Sequence, residues 1–325
     1  MRPGFLLAIL LVVTVGCGST TPGPVTPQDE ETGLRKVTLQ LNWLSDAQHG
    51  GFYAAQREGY YAEEGLDVEI VPGGPGTAVL PKVALGRCDF AIANADQVLL
   101  ARAQEADVVA VFASMQNSPR CIMVHQSSGI TALDQLANIT LALGDGKAFA
   151  EYLKKNVPLS NVRLVSYTGT VAKFLIDKDF AQQGYVFSGP LVAAAQGSDP
   201  LALMVSELGF NPYSSVVVVN RKFLDADSGT VDKFVRASRK GWQAYVSSPA
   251  AANKAIIAVN PDMNAEILEQ SAAEIGKLCK PNDFTGAIGE MSLDRWASLR
   301  EQLIEIELLK ADAGPASEAF VIPRP

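Results

Sequence analysis

The sequence predicts an α/β protein with two lobes, each a mainly parallel sheet flanked by helices. Residues 37–70 carry the clearest pattern, with an apolar-alternating strand at 37–41, a loop, short helices that end at Gly65, and a strand at 67–70. This strand–loop–helix–strand order is typical of a parallel α/β domain. Strands and helices then continue to alternate along the chain. Residues from about 34 to 325 are more than one hydrophobic core usually organises, which indicates two lobes.

Ten strands are predicted, each a short apolar or β-branched run bounded by turn residues. They lie at 37–41, 67–70, 88–93, 108–113, 121–125, 139–143, 162–167, 184–187, 201–206 and 216–220. From residue 231 onward, apolar residues recur every three or four positions, which predicts helices. We expect lobe 1 to comprise residues 36–122 and 216–325 and lobe 2 to comprise 123–215, with the strands near both junctions forming two hinge connections.

The N-terminus has the features of an export signal. Arg2 precedes an apolar run at 5–15, which is too short to span a bilayer. Gly16-Cys17 follows and resembles a bacterial lipobox. We therefore expect residues 1–16 to be a lipoprotein signal peptide and Cys17 to carry a lipid that anchors the protein outside the cytoplasm. Residues 17–35, rich in Pro, Thr and Gly, would form a flexible tether. The alternative is an ordinary secretory signal with an incidental cysteine.

The charge balance excludes some classes of partner. The chain has 27 basic and 35 acidic residues, a net charge of −8. Removal of residues 1–16 takes away Arg2 and makes the net charge −9. An acidic surface argues against nucleic acid and against a polybasic membrane patch. No other segment approaches the eighteen consecutive apolar residues of a membrane-spanning helix.

Few residues offer metal or covalent chemistry. Besides Cys17 there are three cysteines, Cys88, Cys121 and Cys279, all in or beside apolar segments, and two histidines, His49 and His125. Buried, packed thiols are the preferred interpretation, with one disulfide as the alternative. The sequence contains no Cys-x-x-Cys pair, phosphate-binding P-loop or Gly-x-Ser-x-Gly motif. We therefore expect no metal site and no cofactor.

Candidate ligand-binding residues in lobe 1 follow its first strand. In parallel sheets, ligands bind beyond the carboxyl ends of the strands and beside helix N-termini. Trp43 could stack on a planar ring, and Asn42 and His49 could form hydrogen bonds with it. Gly50 and Gly51 could expose helix N-terminal amides to a carbonyl or anionic group. The alternatives are a core tryptophan, loop or helix caps, and a plain tight turn.

Further candidates lie on the same rim. Asn94 and Asp96 follow the strand at 88–93, although Asp96 could instead cap the next helix. The two tyrosines of lobe 2 could instead pack between the lobes. The lobe 2 candidates, at strand ends or helix starts, are Lys147, Tyr167, Thr168, Tyr185 and Ser188.

Several segments resemble one known family when they are taken in order. They are "LNW", "GGFYAA" and "GYYAEEGLDVEI" near the start, "VALGRCDFAIANADQVLL" and "TVAKFLIDKDFAQQGYVFSGP" in the middle, and "GEMSLDRWASLREQLIEIELLK" near the end. Together they resemble the periplasmic solute-binding proteins for sulfonates, nitrate and thiamine precursors, a family that includes the fungal thiamine-pyrimidine synthases. The resemblance implies the two-lobed, type II-like fold of periplasmic binding proteins.

The resemblance also implies a function. The chain would be the substrate-binding lipoprotein of an ABC importer, with a membrane permease and its ATPase as partners. A thiamine-precursor pyrimidine or a related planar heterocycle is the first ligand class, and sulfonate, nitrate or another small anion is the alternative. Many relatives carry an acidic residue after the "GYV" strand, where this chain has Phe187-Ser188. That difference argues against a cationic aminopyrimidine.

The family's enzymatic branch uses its own histidine and lysine as reagents and carries a cysteine-rich iron motif. In this chain Ala93 and Gln97 stand at the matching positions, and the cysteine-rich motif is missing. We therefore expect a binding protein and no enzymatic activity, and the alternative is an enzyme similar to the thiamine-pyrimidine synthases.

Overall fold

The computed structural model of the protein describes residues 33–324. The predicted signal peptide, the lipid attachment at Cys17 and the tether up to residue 32 lie outside the described residues. The strands are β1 Arg35–Gln40, β2 Leu66–Val71, β3 Phe90–Ala93, β4 Val108–Met115, β5 Arg120–His125, β6 Thr140–Leu143, β7 Arg163–Ser166, β8 Phe180–Tyr185, β9 Pro200–Met204 and β10 Ser214–Asn220.

Helices flank these strands, and the four longest, α9 to α12, follow β10. They are α1 Gly50–Arg57, α2 Tyr60–Glu63, α3 Val79–Ala84, α4 Ala95–Ala103, α5 Ala148–Asn156, α6 Ala172–Ile176, α7 Gly189–Ala195, α8 Arg221–Ala226, α9 Ser228–Ser247, α10 Ala250–Val259, α11 Ala265–Cys279 and α12 Leu293–Glu305. None of the helices in the described part of the chain is both long and apolar enough to cross a membrane.

The strands form two five-stranded sheets. Their orders are β2-β1-β3-β10-β4 and β7-β6-β8-β5-β9. β10 in the first sheet and β5 in the second run antiparallel to both of their neighbours. The remaining pairs are parallel. The structure therefore confirms the predicted class, an α/β protein with two mainly parallel sheets.

Each of the ten predicted strands overlaps an observed one. The largest error is in β8, which begins at Phe180, although the prediction placed its start at Gly184. The missed residues include Gln182 and Gln183, which are buried despite their polar side chains. The Gln183 side chain accepts a hydrogen bond of 2.5 Å from the Gly144 backbone N–H, so a partner inside the protein compensates for its lost hydration. Helices α7, α8 and α10 were not predicted.

The strand β10 shows how the first sheet is buried on both faces. Val216 and Val218 belong to one hydrophobic cluster together with Trp296 of α12. The alternate residues Val217 and Val219 belong to a second cluster, which includes the aromatic residues of α9. A continuous β-branched run is typical of a strand with apolar neighbours above and below it.

The three described cysteines are free and buried, which confirms the preferred interpretation of packed thiols. Burial raises the pKa of Cys88 to about 11 and that of Cys121 to about 12. Burial also raises the pKa of Cys279. All three side chains therefore stay protonated at neutral pH and act as small apolar groups.

The chain crosses between the sheets at residues 116–119 and 205–213, next to β5 and β10. The predicted lobe boundaries, at 122/123 and 215/216, fall within these two strands. Arg295 of α12 joins both crossings, because its Nη2 donates to the carbonyl oxygens of Gln116 (2.6 Å) and Asn211 (2.8 Å). One side chain thus links the two interlobe connections to lobe 1.

Helices α1 and α9 pack closely through glycines. A Cβ atom on Gly241 would overlap the carbonyl oxygen of Gly51 and lie 2.6 Å from the backbone nitrogen of Ala55. On the other side, Gly51 and Gly50 lie directly against the rings of Trp242 and Tyr245. These contacts fix the position of the N-terminus of α1, which follows the first loop of the predicted site.

We predict that Gly241→Ala lowers the stability of the fold. The added methyl group meets backbone atoms that cannot move independently, and overpacking of this kind costs roughly 1–3 kcal/mol. For a chain of this size, thermal unfolding monitored by circular dichroism should show a Tm lower by several degrees.

Gly276→Ala in α11 is the matched control. Its Cβ would lie 3.6 Å from Val246 Cγ1, an ordinary contact. Alanine is favoured over glycine within a helix by about 0.5–1 kcal/mol, so this variant should be as stable as the wild type or more stable. Equal Tm values for Gly241→Ala and the wild type would contradict the close packing.

Candidate ligand-binding site

A cavity of about 630 Å³ lies between the two lobes. Lobe 1 contributes four residues of the loop after β1 and the following turn, which are Asn42, Trp43, Asp46 and Gln48. Lobe 2 contributes a larger wall from the ends of its strands and from α6 and α7. Of the twelve predicted ligand-binding residues, those that line the cavity are Asn42, Trp43, Tyr167, Tyr185 and Ser188.

Trp43 lies at the rim of this cavity with 40% of its side-chain surface exposed. The backbone N–H of Gly73 donates to the Trp43 carbonyl at 2.9 Å and holds the two loops together. A Cβ on Gly73 would lie 2.9 Å from the Trp43 nitrogen, so only glycine permits this approach without a shift. The exposure excludes the alternative of a core tryptophan and leaves an indole face available to a planar molecule.

His49 does not line the cavity but orients a residue that does. It is completely buried. Its Nδ1 accepts the backbone N–H of Asp46 at 3.4 Å, and its Nε2 lies 3.0 Å from Asn42 Oδ1. The Asp46 carboxylate oxygen Oδ1 also lies 3.3 Å from Nδ1, so the buried ring is held between Asp46 and Asn42. The side-chain amide of Asn42, which lines the cavity, is thereby held in place.

Asp46 brings a carboxylate to the cavity that sequence reasoning did not identify. Its Oδ1 accepts from the backbone N–H of Gln48 (3.0 Å) and its Oδ2 from the Gln48 side chain (3.1 Å). These bonds cap a short 3₁₀ turn, Ala47–His49, and hold the carboxylate in place. The sequence had shown that an expected acid is missing from lobe 2; the structure has an acid in the same cavity on lobe 1.

Arg120 is a second cavity residue that sequence reasoning missed. Its guanidinium lies between the rings of Phe149 and Tyr185, with its central carbon 4.3 Å from each ring centroid. Its Nη2 also donates to Tyr185 Oη at 3.1 Å. Because β5 is antiparallel to β8, Arg120 at the start of β5 pairs with Tyr185 at the end of β8. The sequence did contain a signal for this residue, because Arg120 is a single arginine at the beginning of an apolar strand.

Asn94 and Asp96 lie beside the cavity rather than in its wall. Asn94 caps α4 and its Nδ2 donates to Tyr185 Oη at 3.3 Å, across the gap between the lobes. Burial raises the pKa of Asp96, and the positive charges of Arg120 and Lys147 reduce this effect. Burial therefore makes Asp96 hold its proton more readily than an exposed aspartate does.

The remaining predicted residues do not line the cavity. Gly50 and Gly51 are buried against α9, so their backbone serves helix packing. Thr168 is exposed, next to cavity residue Tyr167. Lys147 is also exposed and precedes α5. Among residues 33–324, no three His, Cys, Asp or Glu side chains are grouped closely enough to hold a metal ion.

Apolar side chains complete the lobe 2 wall. Leu175 lies in α6, and Val171 directly precedes that helix. Val192 lies in α7, and Phe187 lies between β8 and α7. The cavity thus combines aliphatic side chains, four aromatic side chains and a few fixed polar groups. That composition is typical of a site for a small organic ligand.

Comparison with known proteins agrees with this architecture. A formylaminopyrimidine-binding protein of Halalkalibacterium halodurans is 24% identical over 90% of this chain and 89% of its own length. The riboflavin-binding protein RibY of Chloroflexus aurantiacus is 26% identical over 75% of this chain and 74% of its own. A 4-amino-5-hydroxymethyl-2-methylpyrimidine phosphate synthase of Aspergillus parasiticus is 23% identical over 86% and 85%.

Solved structures show the same two-lobed periplasmic binding protein fold. The periplasmic aliphatic sulphonate binding protein SsuA from Escherichia coli superposes with a TM-score of 0.70 at 12% identity, over 89% of this chain and 92% of that one. The family model described as "NMT1/THI5 like" matches residues 46–252. This match covers more than half of the sequence, and the chain belongs to the NMT1/THI5 like family.

Proposed function

We propose that this chain is the solute-binding lipoprotein of an ABC importer and that it captures a small planar heterocycle between its lobes. A thiamine-precursor pyrimidine or a related ring is the ligand class. The observation that carries the proposal is the exposed indole of Trp43 at the mouth of a cavity lined by both lobes. An aromatic surface of this kind, next to fixed polar groups, suits a ring that stacks and forms hydrogen bonds at its edge.

The polar groups around Trp43 suit the edge of a nitrogen heterocycle. The Asn42 amide, which lines the cavity, has both a donor and an acceptor group, and the Asp46 carboxylate can accept from an amino group. An exocyclic amine beside a ring nitrogen presents a donor and an acceptor side by side, which matches this pair. The names of two relatives, a formylaminopyrimidine-binding protein and a riboflavin-binding protein, support planar nitrogen heterocycles as the class.

A small anion is the second candidate, and Arg120 is the observation that favours it. A guanidinium in a binding cavity can hold a sulfonate or nitrate oxygen. The Asp46 carboxylate opposes this assignment, because it lines the same cavity and would repel an anion. The heterocycle is therefore the better candidate.

The proposed role includes a location and partners. Lipid on Cys17 and the tether at 17–35 would hold the two lobes beside a membrane, where a permease and its ATPase accept the ligand. Closure around the ligand would bend the crossings at 116–119 and 205–213, which lead into β5 and β10.

We predict that Trp43→Ala weakens the binding of heterocycles selectively. Loss of stacking between a base and an aromatic side chain typically costs about 1–3 kcal/mol, which is roughly a 5- to 150-fold increase in Kd. Isothermal titration calorimetry would use formylaminopyrimidine, aminopyrimidine, riboflavin, taurine and nitrate as a panel. We expect the wild type to bind a heterocycle and the variant to bind it more weakly.

Leu44→Ala is the control, since Leu44 is equally exposed on the same loop but does not line the cavity. Its affinity should equal that of the wild type. A wild type that binds only taurine or nitrate, with an affinity that Trp43→Ala leaves unchanged, would establish the anion alternative instead.

A synthase is the third candidate, and the surroundings of the two histidines oppose it. Both histidines are buried, and His49 is held between Asp46 and Asn42. The positions that match the reagents of the enzymatic branch hold Ala93, a buried residue of β3, and Gln97, an exposed residue of α4. These observations support binding without chemistry.

We therefore predict no change in mass at either histidine after incubation with pyridoxal phosphate and ferrous iron in air. Peptide mass spectrometry would compare the treated and untreated protein, with a fungal synthase as the positive control. An oxidised or fragmented histidine that appears together with a released pyrimidine would show that the chain is an enzyme.

A further inference from the structure

We infer that the Tyr185 hydroxyl is fixed as a hydrogen-bond donor toward the cavity, where it and Arg120 bind a carbonyl oxygen of the ligand. This inference rests on the proposed function and specifies the chemistry of the ligand. It predicts that the heterocycle carries an amide, lactam or formyl oxygen on the side that faces lobe 2.

The first step is the orientation of Asn94. Its Oδ1 accepts a hydrogen bond from Ser214 Oγ at 2.7 Å. The serine hydroxyl therefore occupies the oxygen side of the Asn94 amide. The amide NH₂ must then face the other way, where Nδ2 donates to Tyr185 Oη at 3.3 Å.

The second step is that Arg120 is also a donor to Tyr185. A guanidinium has five N–H groups and no acceptor, so its contact of 3.1 Å with Tyr185 Oη has only one possible direction. Stacking of the guanidinium between the rings of Phe149 and Tyr185 restricts it to this position.

The third step follows from the valence of a phenol. Tyr185 Oη has two lone pairs and one proton, and Asn94 and Arg120 occupy both lone pairs. Tyr185 makes no other side-chain hydrogen bond within residues 33–324. Because Tyr185 lines the cavity, its remaining O–H is available to an acceptor atom of the ligand.

The fourth step identifies the acceptor. Arg120 also lines the cavity and keeps further N–H groups after its bond to Tyr185. Two adjacent donors are best satisfied by one atom with two lone pairs. A carbonyl oxygen has two, whereas a ring nitrogen has one. The Asp46 carboxylate lines the same cavity, which favours a neutral carbonyl over an anionic oxygen.

A pair of probes tests this inference. The first is 4-amino-5-(formylaminomethyl)-2-methylpyrimidine, and the second is 4-amino-2,5-dimethylpyrimidine, which keeps the ring and the amine but lacks the carbonyl. Calorimetry gives the ratio of their Kd values for each variant. We expect the wild type to prefer the carbonyl probe by about tenfold and Tyr185→Phe to lose most of this preference.

Asn94→Asp separates the orientation of the hydroxyl from its presence. A carboxylate at this position accepts the Tyr185 proton and turns it away from the cavity, while it can still cap α4. The carbonyl preference should therefore fall as it does in Tyr185→Phe. Tyr60→Phe removes a hydroxyl outside the cavity and should keep the full preference.

The outcomes distinguish this inference from the proposed function. If Tyr185→Phe and Asn94→Asp both bind the two probes with the ratio of the wild type, the inference is overturned and the binding function stands. If the wild type binds neither probe and no heterocycle of the calorimetry panel, the proposed function fails and this inference fails with it. Thermal unfolding of each variant confirms that the ratios come from folded protein.

Discussion

The candidate binding site depends on the close approach of α1 and α9. Gly51 and Gly241 allow the two backbones to touch, and aromatic rings of α9 cover the start of α1. Because α1 cannot slide along α9, the turn before it is fixed, and His49 is buried where it can hold Asn42. A packing contact between two helices thereby positions a hydrogen-bonding side chain of the cavity.

The sequence was sufficient to predict the α/β class, the two sheets and the position of all ten strands. Strand prediction was accurate where burial and β-branching coincide, as in the Val216–Val219 run of β10. It failed at the start of β8, because the sequence does not show that Gln183 has a buried partner. The short helices α7 and α8 also lack the repeating apolar pattern that identifies longer ones.

The candidate site was predicted only in part, for a topological reason. Sequence reasoning placed ligand residues at the carboxyl ends of strands and so identified Trp43 and Tyr185, which line the cavity. Arg120 begins its strand, so the same rule would place it at the opposite edge of the sheet. Since β5 is antiparallel to β8, its first residue lies at the edge that lines the cavity. Strand direction follows from long-range pairing, which a local pattern does not reveal.

The segment from Gly184 to Gly189 lines the cavity and also contacts lobe 1. Tyr185 accepts a hydrogen bond from Asn94 of lobe 1, and the carbonyl of Phe187 accepts one of 2.6 Å from Ser271 of α11. Tyr185 and Phe187 both also line the cavity. A ligand shifts a conformational equilibrium only by the difference in its free energy of binding to the two states. A ligand that bonds to Tyr185 interacts with a side chain that also touches lobe 1, so its binding energy depends directly on how the lobes are arranged.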